Sequence, residues 1–251
     1  MRFSLLLGLA RRPRWLVGTG LMVLNWPLQV LALGLAPITV VQPALSTSQL
    51  VLLALARLKL REQVGRHEVL GVLTIVAGLA VVVAVAPRHT VVDANAGRLA
   101  APMAVVGVGA LAAYARGRWR RSAHLWLVIG AGLAYAWTDF VNKLLANDIS
   151  NGSWALAVLW LVAAGAFGAL AFLEENSALA RHPATTVAPV IGAVKEPLPV
   201  LMALWAGVEV WGSSPHRIGF LLGGLALVGV GAALLGRSRA VAAVAGTGET
   251  R

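Results

Sequence analysis

Long runs without a charged residue alternate with short basic segments along the chain. The uncharged runs cover residues 15–56, 69–87, 99–115, 149–173 and 218–236, and nearly uncharged ones cover 125–138 and 183–208. A helix needs about 20 apolar residues to cross the hydrocarbon core of a bilayer. Strict alternation of apolar and polar residues, which is typical of a membrane β-barrel, does not occur. The pattern predicts an all-α, polytopic membrane helix bundle.

The runs divide into eight predicted transmembrane helices. The first run is long enough for two helices, and "LGLAP" (33–37) supplies the glycine and proline of a turn between them. The predicted helices are Trp15–Gly34, Ile38–Arg57, Glu68–Pro87, Leu99–Tyr114, Leu125–Ala146, Ser153–Leu173, Thr185–Val208 and Ile218–Leu235. We expect a single membrane domain over 1–251, with a first half at about 10–98, a second half at about 99–236 and a tail at 237–251.

The basic residues indicate an orientation. With the N-terminus placed inside, sixteen of the 21 Lys and Arg residues fall in inside segments, three fall outside, and two lie within helices. Cytoplasmic loops are enriched in Lys and Arg. We therefore expect both termini in the cytoplasm and a location in a bacterial cytoplasmic membrane, with lipids as partners.

Composition narrows the function classes. Charged residues make up 12% of the chain and hydrophobic residues 59%, whereas a soluble domain is usually about a quarter charged. The net charge of +11 resides mainly in the basic loops, where it serves topology, so we expect no nucleic-acid partner. The chain has no cysteine, its five histidines lack metal-ligand spacing, and no catalytic or nucleotide motif occurs. We expect no metal, no cofactor and no enzymatic activity.

Two marker pairs indicate an internal repeat. "TVVQP" (39–43) resembles "AVKEP" (193–197), and one helix later "GVLTIVAG" (71–78) resembles "GLALVGVG" (224–231), at nearly the same offset. In the predicted topology each pair of matching helices runs in opposite directions. Inverted repeats are typical of secondary transporters, whose sites lie near the bilayer midplane.

Prolines are predicted to break the two marker helices. Proline removes a helical hydrogen bond and frees a carbonyl group, which is tolerated where it is buried in protein or faces a watery cavity. The alternative is a kink that only shapes packing. The predicted breaks are Pro43 in the first half, and Pro189 and Pro197 in the second.

Four charged residues lie at membrane depth, where such groups are functional candidates. Asp139 and Lys143 are four residues apart and can pair on one helix face, unless Lys143 extends to the interface. Lys195 and Glu196 are adjacent, so they point about 100° apart. We expect Glu196 to face Lys143 or a water-filled cavity, where it could load a proton or a cation. We expect Lys195 to face another acid or freed carbonyls.

Polar residues extend this candidate site. Gln42 and Ser46 are predicted to line a cavity, and Asn142 lies beside Lys143. Individually such residues more often join helices by hydrogen bonds. Glu174 and Glu175 close the sixth predicted helix and are candidates for a cytoplasmic gate, with solvated interfacial charges as the alternative.

The two proline-bearing segments, each followed by a glycine-marked helix, resemble the EamA-type repeats of the drug/metabolite transporter superfamily, and are similar to NIPA-type magnesium transporters. The resemblance spans roughly residues 10–236 and implies a secondary transporter. It assigns site candidacy to Gln42, Glu196 and the "TDFVNK" segment. Such proteins usually have nine or ten helices, so we expect either that the first helix of the family is absent here or that the true start of the protein lies upstream. A second copy of the chain or another partner could then complete the open side of the path.

The expected function is transport of a small metabolite, amphiphile or cation by alternating access, with proton coupling through Glu196. A magnesium path is weakened by Lys143 and Lys195, which repel a divalent cation. Two alternatives remain open: a flippase for a lipid-linked substrate, and a membrane scaffold or accessory subunit that does not transport.

Overall fold

The structure, a computed structural model, describes residues 13–42, 44–45, 65–85, 96–119, 124–180, 182, 184–208 and 215–236. This part of the chain is all-α and contains no strand. Its helices are α1 (Pro13–Leu35), α2 (Arg66–Ala84), α3 (Ala96–Trp119), α4 (His124–Ser150), α5 (Trp154–Leu179), α6 (Ala184–Lys195), α7 (Pro197–Ala206) and α8 (Pro215–Gly236).

Three described helices are long and apolar enough to cross a membrane. They are Leu16–Leu35 of α1, Gly97–Gly117 of α3 and Trp154–Leu179 of α5, and shorter apolar stretches lie in α2 and α8. Much of the surface of α1, α3 and α5 consists of exposed large aliphatic side chains. A continuous apolar surface of this extent suits contact with lipid rather than with water. The fold is thus a membrane-like helical bundle.

Helix α4 forms the centre of the bundle. It contacts α1, α3, α5, α6 and α7. Every residue from Ala136 to Ala146 is buried, so all faces of this stretch are covered. Small residues such as Ala131 and Ala134 are completely buried and allow the neighbouring helices to approach closely. The polar residues of α4 are therefore held inside the bundle.

The chain breaks after α1 at the predicted place. The Ala36 N–H donates the last helical hydrogen bond, to Ala32, and Pro37 has no N–H to continue the ladder. Residues 38–42 then form a new helical segment. Most of the predicted helix 38–57, including the proposed break at Pro43, lies outside the described residues.

The predicted helix 185–208 is two helices, with Glu196 between α6 and α7. Glu196 keeps helical dihedrals, φ −76° and ψ −46°. Only the helical hydrogen-bond ladder is interrupted here, because Pro197 and Pro199 have no N–H to donate to the carbonyl groups of Ala193 and Lys195. The prediction of a break at Pro189 is wrong, since α6 continues through it. One proline inside a helix removes one donor, which the rest of the turn can tolerate.

Helices α2 and α8 pack together through glycines. A Cβ atom at Gly78 would lie 2.5 Å from the Gly224 carbonyl oxygen, and one at Gly231 would lie 2.6 Å from that of Gly71. Only glycine allows two backbones to approach this closely. Position 71 meets 231 while 78 meets 224, so the two helices are antiparallel.

Candidate functional site

A polar cavity of about 480 Å³ lies between α1, α4, α5 and the end of α6. Its polar lining comes from α4, from α1 and from Lys195, and comprises Thr19, Asn25, Gln29, Tyr135, Thr138, Asp139, Asn142 and Lys195. Ala164, Gly165, Gly168 and Ala169 of α5 also line it. Clefts of about 300–1,000 Å³ are typical of small-molecule sites. The volume of this cavity lies within that range.

Asp139 is the most highly coordinated group in the cavity. Its side chain is 3% exposed, and its Oδ1 atom accepts a hydrogen bond of 2.7 Å from Gln29 Nε2. Its Oδ2 atom accepts a weaker bond of 3.4 Å from Gln42 Nε2 and lies 3.9 Å from Lys195 Nζ. A buried carboxylate requires such partners, because an unpaired charge is strongly disfavoured in a low-dielectric interior. Three other segments of the fold thus converge on the Asp139 carboxylate.

Lys195 links Asp139 to a second acidic group. Its ammonium lies 5.3 Å from the centre of the Tyr135 ring, within reach of a cation–π interaction. The Tyr135 hydroxyl donates a hydrogen bond of 2.6 Å to Glu175 Oε2. The side chain of Lys195 remains 27% exposed. A partly exposed basic group that lines the cavity is well placed to meet an incoming ligand.

Asn142 holds the next position of the polar wall. Its Oδ1 atom accepts a hydrogen bond of 3.1 Å from Trp26 Nε1. Its Nδ2 group is buried and has no hydrogen-bond partner. An amide N–H₂ without a partner is disfavoured in an apolar interior. Asn142 lines the cavity, and this amide group lies in the cavity wall without a partner.

Lys143 has a different position from the predicted one. Its ammonium donates to the carbonyl oxygens of Leu33, at 2.6 Å, and Ala36, at 3.2 Å, instead of pairing with Asp139. The Leu33 carbonyl needs this donor because Pro37, four residues later, lacks an N–H. A cation at a helix C-terminus also interacts favourably with the helix dipole. Lys143 therefore caps α1, and it does not line the polar cavity.

Glu196 also departs from the expectation. Its side chain is 2% exposed, it is not among the residues that line the described cavity, and its Oε2 atom has no hydrogen-bond partner. Adjacent helical residues point about 100° apart, so when Lys195 faces Asp139 its neighbour must face elsewhere. The prediction that Glu196 faces the cavity or Lys143 does not describe this conformation.

The gate candidates occupy two different environments. Glu175 is half-buried and accepts the Tyr135 hydrogen bond. Glu174 is completely buried, and neither carboxylate oxygen has a hydrogen-bond partner. Its carboxylate fills the space beside Gly130, where a side chain would collide with it. Glu174 thus packs into the α4–α5 interface rather than facing solvent.

The sequence interpretation missed Tyr135 and did not identify the partners of Gln29 or Trp26. Tyr135, Asp139 and Asn142 recur at intervals of four and three residues, which places them on one helix face. That spacing was the available signal for Tyr135. The signal for Gln29 and Trp26 is weaker, because the helix that α1 would face could not be known. Ser46 lies outside the described residues, whereas Gln42 is completely buried against Asp139.

Comparison of the chain with protein-family models, with curated proteins and with solved structures finds no match.

Proposed function

We propose that this protein is a secondary transporter of the drug/metabolite type, and that the cavity between α1, α4, α5 and α6 binds its substrate. The observation that carries the proposal is the Asp139–Lys195 ion pair, in which Asp139 is buried and Lys195 is partly exposed, inside a bundle whose outer helices expose apolar side chains. A charged pair at such a depth is disfavoured unless it has a role, and in transporters it marks the substrate path. The unpartnered amide of Asn142 supports the same site.

The contact between α2 and α8 supports an inverted repeat. The sequence repeat relates position 71 to 224 and position 78 to 231. A two-fold axis that exchanges the helices would convert the contact of Gly71 with Gly231 into that of Gly224 with Gly78, and both are close backbone contacts. Two helices related in this way run antiparallel, as inverted repeats require. Eight membrane spans with both termini in the cytoplasm complete this proposal.

Coupling to a proton or a cation is proposed for Glu196. It occupies the interruption between α6 and α7, beside carbonyl groups that prolines leave without helical donors. Its buried oxygen without a hydrogen-bond partner is an available acceptor. In a second conformation of the broken helix, rotation of the chain at Glu196 would turn Glu196 toward the cavity and Lys195 away from it.

A ligand screen tests the proposed site. Purified wild-type protein and Asp139→Asn are heated with a library of amino acids, sugars, organic cations and divalent metals. We expect at least one compound to raise the melting temperature of the wild type but not of the variant, because Asp139 organises the polar wall. Its uptake by proteoliposomes then establishes transport. Compounds that stabilise both proteins equally would place the ligand elsewhere, and binding without uptake would favour the scaffold alternative.

A further inference from the structure

A second cavity adjoins the polar one. It has a volume of about 420 Å³ and lies between α1, the C-terminal part of α4 and α5. Trp26 and Leu161 line both cavities, so the two share a wall. The cavity on one side of this wall contains Asp139, and the cavity on the other side contains Gly34.

The second cavity offers little to a polar ligand. Apart from Trp26 and Ser150, its lining side chains are aliphatic or glycine. The Ser150 hydroxyl already donates to the Ala146 carbonyl, and the Trp26 N–H donates to Asn142. An apolar group gains free energy in such a site in proportion to the area that it buries. The chemistry of this cavity therefore selects a hydrocarbon.

The polar cavity selects a head group of no net charge. Its charged lining residues are one carboxylate and one ammonium, Asp139 and Lys195. Their separation of 3.9 Å exceeds the 2.7–2.9 Å of a direct charge-assisted hydrogen bond. A ligand with an ammonium and a carboxylate could insert and give each of them a partner of opposite charge. A ligand of one sign would give a partner of opposite charge to only one of these two groups.

We propose that the substrate is a zwitterionic amphiphile, whose head binds between Asp139 and Lys195 and whose hydrocarbon tail passes Trp26 into the apolar cavity. This inference rests on the proposed function, because it takes the polar cavity as the substrate site. Because Trp26 and Leu161 line both cavities, the junction between the head and the tail of the ligand would lie at these two residues.

The test uses straight-chain 2-amino acids with four to ten carbons as probes. Each methylene that enters an apolar site should tighten binding about fourfold. We expect the dissociation constant, measured from tryptophan fluorescence in lipid nanodiscs, to fall by about this factor per carbon. Alkylamines and alkanoates of equal length should bind at least tenfold more weakly, because each lacks one half of the head.

A matched pair of variants separates the cavity from simple partition into lipid. Gly34→Leu puts a side chain into the apolar cavity, whereas Gly20→Leu, on the same helix, points into open space and lines neither described cavity. Gly34→Leu should abolish the dependence on chain length, so that the longer probes bind no more tightly than the four-carbon probe. Gly20→Leu should behave as the wild type. If Gly34→Leu does not fold, Ile149→Trp at the partly exposed side of the cavity serves the same purpose.

The outcomes are distinguishable. If short probes bind and Asp139→Asn weakens them, but chain length has no effect or acts equally in both leucine variants, the amphiphile inference is overturned and the proposed site stands. If no probe of any length binds, the proposal of a zwitterionic head group is overturned as well. The ligand screen and the water accessibility of the cavity then decide the transporter proposal independently.

Discussion

Replacement of Lys143 by methionine tests how the fold tolerates a buried cation. Methionine retains the length and most of the volume of the side chain but removes the hydrogen bonds that the ammonium donates to the Leu33 and Ala36 carbonyls. A buried carbonyl left without a partner costs about 1–3 kcal/mol, and removal of the buried ammonium returns part of this. We expect a net loss of about 3 kcal/mol in the free energy of unfolding. At about 2–4 °C per kcal/mol for a chain of this size, the melting temperature should fall by about 6–12 °C.

A second substitution tests whether the Lys143 ammonium replaces the N–H that Pro37 lacks. Pro37→Ala supplies the N–H that the Leu33 carbonyl lacks, so Lys143→Met should cost about 1–2 kcal/mol less in that background. Differential scanning fluorimetry or urea titration in detergent measures all four proteins of the cycle. Lys143→Arg, which keeps a cationic donor, is the control and should lie close to the wild type. Equal losses from Lys143→Met in both backgrounds would refute the assigned role of the ammonium.

Two further predictions concern the repeat and the coupling group. Gly224→Ala should destabilise the protein by about 1–3 kcal/mol, because its Cβ would lie 2.7 Å from the Gly78 carbonyl oxygen, whereas the neighbouring Gly223→Ala meets open space and should have little effect. Equal melting temperatures for the two variants would contradict the close α2–α8 contact. Glu196→Gln should retain ligand binding in nanodiscs but lose uptake driven by a pH gradient, because Glu196 does not line the described cavity and retains an oxygen without a hydrogen-bond partner. Full gradient-driven uptake by this variant would remove Glu196 from the coupling step.

The helical class and several helix boundaries could be predicted because they depend on local signals. Hydrophobic runs, charged turns and prolines act within a few residues of where they stand, and the break at Pro37 follows from a missing N–H alone. The Asp139–Lys143 spacing was equally visible, but its interpretation required the identity of the neighbouring helix. Lys143 donates hydrogen bonds to carbonyl groups at the C-terminus of α1, which lack helical donors. Asp139 contacts residues that are more than fifty positions away along the chain.

Partners across helices were therefore the part that the sequence could not supply. Nothing near Glu174 in the chain indicates that Gly130 leaves space for its carboxylate. Nothing near Asp139 indicates that Gln29 donates to it. Each contact depends on the rotation of a helix within the bundle, which the sum of many weak packing interactions determines. Helical spacing alone could have added Tyr135 to the site, because it lies one turn before Asp139.

The central claim is that the polar cavity holds water and substrate inside a membrane. The absence of native cysteine allows single cysteines to be placed at Gly168, which lines the cavity, and at Val162, which is exposed on the apolar surface of the same helix. A charged, membrane-impermeant thiosulfonate is applied to each variant in nanodiscs. We expect rapid modification at position 168, slowed by bound ligand, and almost none at position 162. Rapid modification of the cysteine at position 162, together with little or no modification of the one at position 168, would contradict the proposed cavity.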